Sequence, residues 1–304
     1  MVRAADSDER MRNLGSEALA PTLDGVAAGS TLPPPVVQTF SAPRQVGRFV
    51  LLRHIGSGGM GAVYAAYDER LDRRVAIKLL QHAETADDVQ KQRVLREAQA
   101  MARVSDPNVV SVFEVGEFHS QVFIAMEFVE GETLAQWQRQ RPRPWQDLLL
   151  MYLEAGQGLR AAHAVGLTHR DFKPDNVLVG KEGRPRVADF GLARLGAGNP
   201  VAAPGAPEGV SGEKLAAPLT LADAIAGTPG YMSPEQYSGG EVDARSDQFS
   251  FCAALYEALY RQLPFAGDDL AVLAANTVAG KVQPRPDRSE VPMEVHQALM
   301  RGLS

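Results

Sequence analysis

Cysteine is almost absent from this sequence of 304 residues, which contains Cys252 and no other. One cysteine cannot form an internal disulfide, and such scarcity is typical of proteins from a reducing compartment. The sequence also lacks a run of about 18 apolar residues, the length that a membrane-spanning helix needs, and its N-terminus lacks the apolar segment of a signal peptide. These absences predict a cytoplasmic chain without a membrane-spanning segment, and they leave open a membrane anchor beyond residue 304.

A dense cluster of basic residues is missing as well. The formal net charge is -6, from 31 Lys and Arg against 37 Asp and Glu. The sequence therefore predicts no nucleic-acid-binding surface. The six histidines show no metal-ligand spacing with Cys252, which argues against a structural zinc site. Cys252 lies in an apolar run with helical spacing and is expected to be buried.

Two segments are poor in the residues that build a core. Residues 1–46 are rich in Ala, Pro, Gly and Ser, and we predict a disordered tail there because they cannot bury enough apolar surface to offset the entropy of ordering. Residues 195–219 have the same bias and predict a flexible internal insertion. The remaining sequence divides into a mainly β part, 47–126, and a mainly α part, 127–304.

The apolar pattern predicts the main elements. Apolar, β-branched runs that break at glycines, with alternation over residues 62–68, predict strands over residues 48–78, and two further runs predict a hairpin that turns at residues 119–120. Helical spacing predicts helices over about 87–104, 145–165 and 246–260. In the second of these helices the pattern favours one buried face, made of Leu149, Leu153, Gly156 and Leu159.

Three glycines, Gly56, Gly58 and Gly61, punctuate the predicted strands. Alone, their Gly-x-Gly-x-x-Gly spacing also fits a dinucleotide-binding turn or a flexible loop. A dinucleotide-binding turn leads directly into a helix, whereas a strand is predicted from Ala62 onwards. The pattern therefore favours a glycine-cornered hairpin, whose backbone N–H groups can approach phosphates closely.

Lys78 lies inside an apolar predicted strand, where an unpaired ammonium group would be costly. Glu97, on the following predicted helix, is expected to be its partner. Two interpretations stay open at this point. The pair is either purely structural or, as the neighbouring glycine hairpin favours, a device in which Lys78 grips anionic phosphates and Glu97 holds it in position.

Five motifs stand in the order found in protein kinase catalytic domains. With GTPGYMSPEQ at 227–236 and RSDQFSFCAALYEALY at 245–260, the sequence most closely resembles the bacterial, eukaryotic-type serine/threonine kinases. The resemblance covers roughly residues 48–303 and implies an α+β, two-lobed kinase fold with a small β-rich N-lobe and a larger α-rich C-lobe. The five motifs are Gly56-x-Gly58-x-x-Gly61-x-Val63, Val75-Ala76-Ile77-Lys78, His169-Arg170-Asp171 with Asn176, Asp189-Phe190-Gly191 and Ser233-Pro234-Glu235.

The resemblance also implies a set of catalytic residues. The transition state of phosphoryl transfer spreads charge over oxygen atoms, so catalysis is mostly positioning and electrostatic stabilisation. Asp171 would orient the substrate hydroxyl and accept its proton, and Lys173 would meet the transferring phosphoryl group. The implied catalytic residues are Asp171, Lys173, Lys78 and Glu97.

ATP and Mg²⁺, with Mn²⁺ as an alternative ion, are the implied ligands. Asn176 and Asp189 would supply the hard oxygen atoms that Mg²⁺ prefers. Met126 would occupy the gatekeeper position, and residues 127–129 would form the hinge whose backbone meets adenine. The implied ATP-binding residues are Gly56, Ser57, Gly58, Gly61, Val63, Ala76, Lys78, Met126, Glu127 and Val129.

Other residues acquire supporting or regulatory roles from the resemblance. His169 would pack beneath the catalytic loop, and Asp247 would brace that loop from below. Arg170 would anchor a phosphate on the activation segment, and Thr220, eight residues before Thr228, is the predicted autophosphorylation site. Thr228, with the lysine of the catalytic loop, favours Ser/Thr over Tyr substrates.

The sequence departs from the family pattern in two places. The segment from Asp189 to Glu235 has 235 − 189 + 1 = 47 residues, longer than usual because of the 195–219 insertion. The chain also stops at Ser304, where the family normally adds a helix whose Arg pairs with the glutamate at the position of Glu235. Glu235 is therefore expected to be unpaired, and the C-lobe to lack its last helix.

The leading interpretation is ATP-dependent phosphorylation of Ser/Thr hydroxyls in protein substrates, with autophosphorylation in signalling. A pseudokinase-type scaffold or a truncated inactive kinase is an alternative, against which stand the intact Lys78, Asp171 and Asp189. A small-molecule phosphotransferase is a further alternative, but it does not need the peptide-positioning segment at 227–236. The sequence names neither a substrate nor an activating signal, and it gives no support for dimerisation.

Overall fold

The computed structural model describes residues 44–58, 61–80, 88–119, 121–190 and 228–304. The predicted insertion at 195–219, Thr220 and nearly all of the predicted tail lie outside these residues. The prediction of a tail up to residue 46 is wrong at its end, because Gln45 and Val46 form the first strand, β1 (Gln45–Val46). Val46 is fully buried in the core of the first sheet, and this burial stabilises the strand.

The β-rich part is an antiparallel sheet of six strands in the order β1-β2-β3-β4-β6-β5. The predicted strands form, and the sheet buries a small cluster that includes Phe49, Ile77 and Phe123. The strands after β1 are β2 (Phe49–Gly58), β3 (Gly61–Asp68), β4 (Arg73–Leu80), β5 (Val112–Phe118) and β6 (Gln121–Glu127).

The helices of the described residues follow the predicted ranges closely. Helix α1, between β4 and β5, turns Ala98 and Met101 into the large core that the other helices share. The side chain of Val94 lies outside the part that the structure describes. The helices are α1 (Asp88–Met101), α2 (Leu134–Arg139), α3 (Trp145–Ala164), α4 (Pro234–Ser238), α5 (Ala244–Tyr260), α6 (Leu270–Val278) and α7 (Met293–Gly302).

The predicted buried face of α3 is partly wrong: Leu159 is buried as predicted, but Leu153 is not. Leu153, which was expected in the core, is 50% exposed. The helix is rich in leucine and carries overlapping apolar stripes, and the core selects the stripe that includes Tyr152, whose ring packs edge-on against Phe251 at 5.9 Å. The buried positions of that stripe are Leu148, Tyr152, Ala155, Leu159 and Ala162.

A second, three-stranded antiparallel sheet lies in the helical part, with β7 (Gly131–Thr133), β8 (Val177–Gly180) and β9 (Pro185–Val187) in that order. The predicted two-lobed α+β fold is confirmed, with its β-rich and helical parts. Within the described residues, none of the helices is long and apolar enough to cross a membrane. Cys252 is buried as predicted, and burial raises the pKa of its thiol to about 11.

Candidate active site

The loop between α3 and β8 contains the His169-Arg170-Asp171 motif, Lys173 and Asn176, and several of these side chains contact one another. Asp171 is its centre: one carboxylate oxygen accepts hydrogen bonds from Lys173 Nζ at 2.8 Å and from Asn176 Nδ2 at 3.2 Å. The other oxygen accepts from the backbone N–H of Thr228 at 3.1 Å. Because three donors hold it, the Asp171 carboxylate has a fixed orientation, and its side chain is only 8% exposed.

A buried carboxylate in α5 supports this loop from below. Asp247, in the first turn of the helix, is completely buried and accepts hydrogen bonds of 2.7 Å from the backbone N–H groups of His169 and Arg170. It also contacts His163 Nε2 at 2.7 Å. These partners satisfy a charge that would otherwise be costly to bury. Asp247 therefore braces the loop in the way that the family resemblance implied.

His169 fills the space beneath the loop. Its ring is fully buried, lies against Phe172 and Phe190, and contacts the carbonyl oxygen of Ala188 at 2.8 Å. Burial lowers the pKa of the imidazole below its ordinary value, although nearby carboxylates oppose that shift. His169 thus joins the catalytic loop to the segment that ends at Asp189.

The predicted pair between Lys78 and Glu97 is not formed. Lys78 Nζ instead contacts Asp189 Oδ1 at 2.8 Å, and Glu97 Oε1 contacts the Arg170 guanidinium at 3.2 Å. The predicted pair and the two observed pairs all satisfy the rule that a buried charge needs an opposite partner. That rule was the basis of the prediction. The observed pairs leave two polar atoms unsatisfied. Glu97 Oε2 and Arg170 Nε are buried and have no hydrogen-bond partner in the described part of the chain.

Asp189 and Arg170 share an unusual backbone conformation. Their φ angles are 61° and 70°, in the left-handed region that residues other than glycine seldom adopt. Burial would raise the pKa of the Asp189 carboxyl, but the Lys78 ammonium outweighs that effect and holds the pKa below its ordinary value. Asp189 is therefore an anion, and it is available to a cation.

The first sheet and β8 enclose a cleft of about 610 Å³. Asn176 and Asp189 line it together, so that the two predicted metal ligands share one space. Lys78 lines a small adjoining cavity with Met126 and Asp189. Further predicted residues that line the main cleft are Gly56, Val63, Ala76, Met126, Glu127 and Val129.

The glycine hairpin has two kinds of glycine. Gly61 has φ +143°, and a Cβ there would lie 1.9 Å from the carbonyl oxygen of Leu79, so no larger residue fits. A Cβ on Gly56 or Gly58 would meet nothing within 4 Å. The space beside these two glycines is therefore open to a ligand. Of the predicted residues, Ser57, Gly58 and Gly61 belong to the strands of this hairpin but do not line the cleft.

The segment around Thr228 closes one side of the catalytic loop. The Thr228 hydroxyl accepts a 2.5 Å hydrogen bond from Lys173 Nζ, and Gln236 Nε2 donates to the carbonyl oxygen of Arg170 at 2.8 Å. Glu235, which was expected to be unpaired, accepts a hydrogen bond from the Ser246 hydroxyl. That prediction is wrong because it considered only an arginine as a partner.

Leu178 and Arg186 are residues of the site that the sequence analysis missed. Leu178 lines the floor of the cleft, between the buried Val177 and Val179. The alternation along β8 indicates this position, because the central residue of three faces the opposite side. Arg186 contacts Glu127 across the back of the cleft. That contact joins residues far apart in the chain, and no local pattern predicts it.

The side-chain oxygen atoms of Asn176 and Asp189 suit a divalent cation that also binds phosphate oxygens. Asn176 donates through its Nδ2 to the Asp171 carbonyl oxygen at 2.8 Å, which leaves its amide oxygen for a ligand. Among the described residues, no group of three or more His, Cys, Asp or Glu side chains could hold a metal ion alone. One carboxylate and one amide suit Mg²⁺, which usually keeps water and phosphate oxygens in its coordination shell.

Comparison with known proteins decides the family. A family model for the protein kinase domain matches residues 49–299, most of the chain. The chain belongs to the protein kinase family. Protein kinases generally use ATP and Mg²⁺. An open cleft lined by Asn176 and Asp189 is consistent with that property of the family.

Several curated bacterial relatives are serine/threonine-protein kinases by name. Pkn2 of Myxococcus xanthus is 40% identical over 224 residues, which are 73% of this chain and 25% of the relative. The probable kinase PknB of Lactococcus lactis is 36% identical over 254 residues, 83% of this chain and 37% of the relative. PknE of Mycobacterium tuberculosis is 33% identical over 261 residues, which are 86% of this chain and 43% of the relative. The chain spans less than half the length of these kinases, and its resemblance to bacterial, eukaryotic-type kinase domains is confirmed.

Proposed function

We propose that this chain transfers the γ-phosphoryl group of ATP to Ser or Thr hydroxyl groups of protein substrates. In this reaction the hydroxyl oxygen bonds to the γ-phosphorus while the bond from that phosphorus to the bridging oxygen of ADP breaks. The hydroxyl proton passes to the Asp171 carboxylate. The observation that carries the proposal is the fixed orientation of this carboxylate against Asn176, which lines the cleft together with Asp189.

Lys78 and Lys173 supply positive charge at two points of the proposed reaction. Lys78, whose side chain is 5% exposed, lies beside Asp189 and would hold the non-reacting phosphates. Lys173 contacts Asp171 and the Thr228 hydroxyl, so its ammonium group lies where the substrate hydroxyl would enter. Charge fixed in advance stabilises the transition state without a cost of reorganisation.

Asn176 and Asp189 would hold Mg²⁺ through an amide oxygen and a carboxylate oxygen. The ion, when bound, neutralises charge on the phosphates and fixes their orientation. Glu127 to Val129 would present their backbone to adenine, and Gly56, which lines the cleft, leaves open space for the phosphates. These assignments for the nucleotide belong to the proposal.

We further propose that Thr220 is the main autophosphorylation site and that Arg170 receives its phosphate. Arg170 Nε is buried without a hydrogen-bond partner among the described residues, which leaves a donor for an anion. Mass spectrometry after incubation with ATP should find phosphate on Thr220. A loop without modification, in a preparation that phosphorylates other proteins, would contradict this assignment.

A second candidate function is a kinase-shaped binding module without turnover. The contact of Glu97 with Arg170 favours it, because Glu97 then does not hold Lys78. Such a module would bind nucleotide or protein partners but transfer no phosphate. The same assay decides between the two functions.

The test is incorporation of radiolabelled phosphate from ATP into a generic basic protein. The parent chain is compared with Asp171→Asn and Lys78→Met, and with the matched surface variants Asp287→Asn and Lys281→Met. Asp287 and Lys281 are exposed. We expect the two site variants to lose activity by at least about 100-fold, the usual range for a removed proton acceptor or charge in a site.

The surface variants should retain the parent rate. Equal incorporation by the parent and both site variants would defeat the kinase proposal. Nucleotide binding without incorporation by the parent would favour the binding module.

A further inference from the structure

Arg186 is a charged residue in the middle of β9, three positions before Asp189. Its partner across the sheet is Leu178, which lines the floor of the cleft. The Arg186 side chain is only 15% exposed, although most arginines lie at the surface. The Arg186 side chain is therefore mostly buried, next to Leu178 in the sheet and three positions before the proposed metal ligand Asp189.

The partner of Arg186 is the first residue of the hinge. Glu127 ends β6, and its Oε1 lies 3.2 Å from Arg186 Nε. Its other carboxylate oxygen accepts a 3.4 Å hydrogen bond from the backbone N–H of Ser111. The backbone N–H of Glu127 donates to the Ser111 carbonyl oxygen at 2.8 Å. The side chain and the backbone of Glu127 are therefore held together.

The strand that carries Arg186 is itself fixed. The N–H of Val187 donates to the Asn108 carbonyl oxygen at 2.7 Å, and the N–H of Val110 donates to the Val187 carbonyl oxygen at 2.9 Å. Asn108 Nδ2 also donates to the Pro185 carbonyl oxygen at 2.9 Å, in a buried position. The guanidinium thus projects from a strand that these hydrogen bonds hold in place, and it contacts the hinge through Glu127.

We propose that Arg186 is a positioning residue for the nucleotide: it holds Glu127 so that the backbone of residues 127–129 is set in advance for the adenine base. The inference rests on the proposed use of ATP. Without Arg186, the Glu127 carboxylate keeps only the Ser111 N–H, and the hinge must be ordered when the nucleotide binds. Ordering at that moment lowers affinity.

The expected kinetic signature follows from distance along the nucleotide. Adenine lies far from the reacting γ-phosphorus, so an interaction with it is equally strong in the ground state and in the transition state. Loss of such uniform binding raises KM and leaves kcat unchanged. A role in the chemistry itself would lower kcat, and loss of fold would remove active protein without changing KM.

The experiment uses Arg186→Ala, Arg186→Lys and two controls, Arg184→Ala and Glu182→Ala. Arg184 is an exposed arginine directly before β9, and Glu182 is the other ion-pair partner of Arg186. The measurements are KM for ATP, kcat, and the Kd of a fluorescent nucleotide, each with the complete 304-residue chain. Arg186→Ala should raise KM and Kd roughly fivefold to tenfold, as expected for one partly buried charge pair.

In the same variant, kcat should stay within about twofold of the parent value. Arg186→Lys should recover part of the affinity, since it keeps the charge but loses the planar fork. Arg184→Ala and Glu182→Ala should match the parent. If Arg186→Ala fails to fold, Glu127→Gln reads the same contact from its other side and should raise Kd similarly.

Three outcomes overturn the inference. Unchanged KM and Kd in Arg186→Ala would show that the hinge needs no such support. A higher kcat at unchanged KM would show that the pair restrains turnover. An equal rise in Kd for Glu182→Ala would move the role to the other partner. A parent chain that binds nucleotide but transfers no phosphate would defeat the proposed function alone, because the Kd comparison still tests Arg186.

Discussion

The two sides of the cleft differ in where their polar side chains find partners. In the catalytic loop, Asp171 is held by Lys173 and Asn176, which are two and five positions away in the chain. On the other side, Lys78 meets Asp189 over 111 positions, and Glu97 meets Arg170 over 73 positions. A third donor to Asp171, the Thr228 N–H, is 57 positions away. The predicted long-range pair of Lys78 and Glu97 is replaced by two other pairs.

The comparison shows what each side requires. Asp171 has three donors, two of them close to it in the chain, and one arrangement satisfies all three. Lys78 and Glu97 each need an opposite charge, and more than one is within reach. We therefore expect removal of one group on the loop side to lower the free energy of unfolding strongly. Removal of one group on the Glu97 side should lower it only slightly.

The largest effect on stability should come from Asp247→Ala. This change leaves the N–H groups of His169 and Arg170 buried without their acceptor, and His163 loses its partner. The free energy of unfolding should fall by about 3–5 kcal/mol, as for a broken buried charge network. Denaturant titration measures it, with the exposed Asp287→Ala as control. A loss below about 1 kcal/mol would remove the contrast between the two sides.

A second prediction separates two glycines of the hairpin. Gly61→Ala places a Cβ 1.9 Å from the Leu79 carbonyl oxygen at φ +143°, whereas Gly56→Ala points into open space. We expect Gly61→Ala to destabilise the fold by about 2–3 kcal/mol through backbone strain and displacement. Gly56→Ala should change the unfolding free energy by less than about 1 kcal/mol. Thermal or denaturant unfolding of both variants checks this, and equal losses would contradict it.

Glu97→Gln should lower the free energy of unfolding less than Asp247→Ala or Gly61→Ala does. Its side chain is 18% exposed, one oxygen has no hydrogen-bond partner among the described residues, and the other makes one contact with Arg170. The unfolding free energy should fall by about 1 kcal/mol or less, as for a partly exposed pair. Glu154→Gln, at an exposed site, is the matched control. A loss as large as that of Asp247→Ala would break the comparison.

The smallest effect concerns pH and His169. Its pKa is lowered by burial, so below its unfolded value, about 6.5, the unfolded state takes up a proton that the native state does not. The unfolding free energy should therefore fall as pH decreases from about 6.5 toward the lowered native pKa. His169→Phe should flatten this slope between pH 7.5 and about 5.5. Equal slopes in the parent and the variant would show that another group causes the dependence.

The sequence predicted much of the fold because its signals are local. Apolar, β-branched runs bounded by glycines predicted the first sheet, and β1 was missed because two residues, Gln45 and Val46, are too few to show a pattern. In α3 the leucine-rich pattern left two stripes, and only packing against Phe251 distinguishes Tyr152 from Leu153. Tertiary contacts decide where local patterns are degenerate.

The site follows the same rule. Motif order predicted that Asn176 and Asp189 serve one site, and they line one cleft. The partner of Glu97, the hydroxyl that binds Glu235 and the contact of Arg186 with Glu127 were missed. Each depends on the distance between elements remote in the chain, and residue spacing carries no such distance.

The most direct test of the account is the metal dependence of nucleotide affinity, measured as the Kd of ADP with Mg²⁺ and with a chelator. The central claim is that Asn176 and Asp189 hold one metal-bound nucleotide in the cleft beside Lys78. The parent should bind ADP more tightly with Mg²⁺, and Asp189→Asn should lose most of that gain while Asp287→Asn keeps it. The same gain in the parent and in Asp189→Asn would contradict the account.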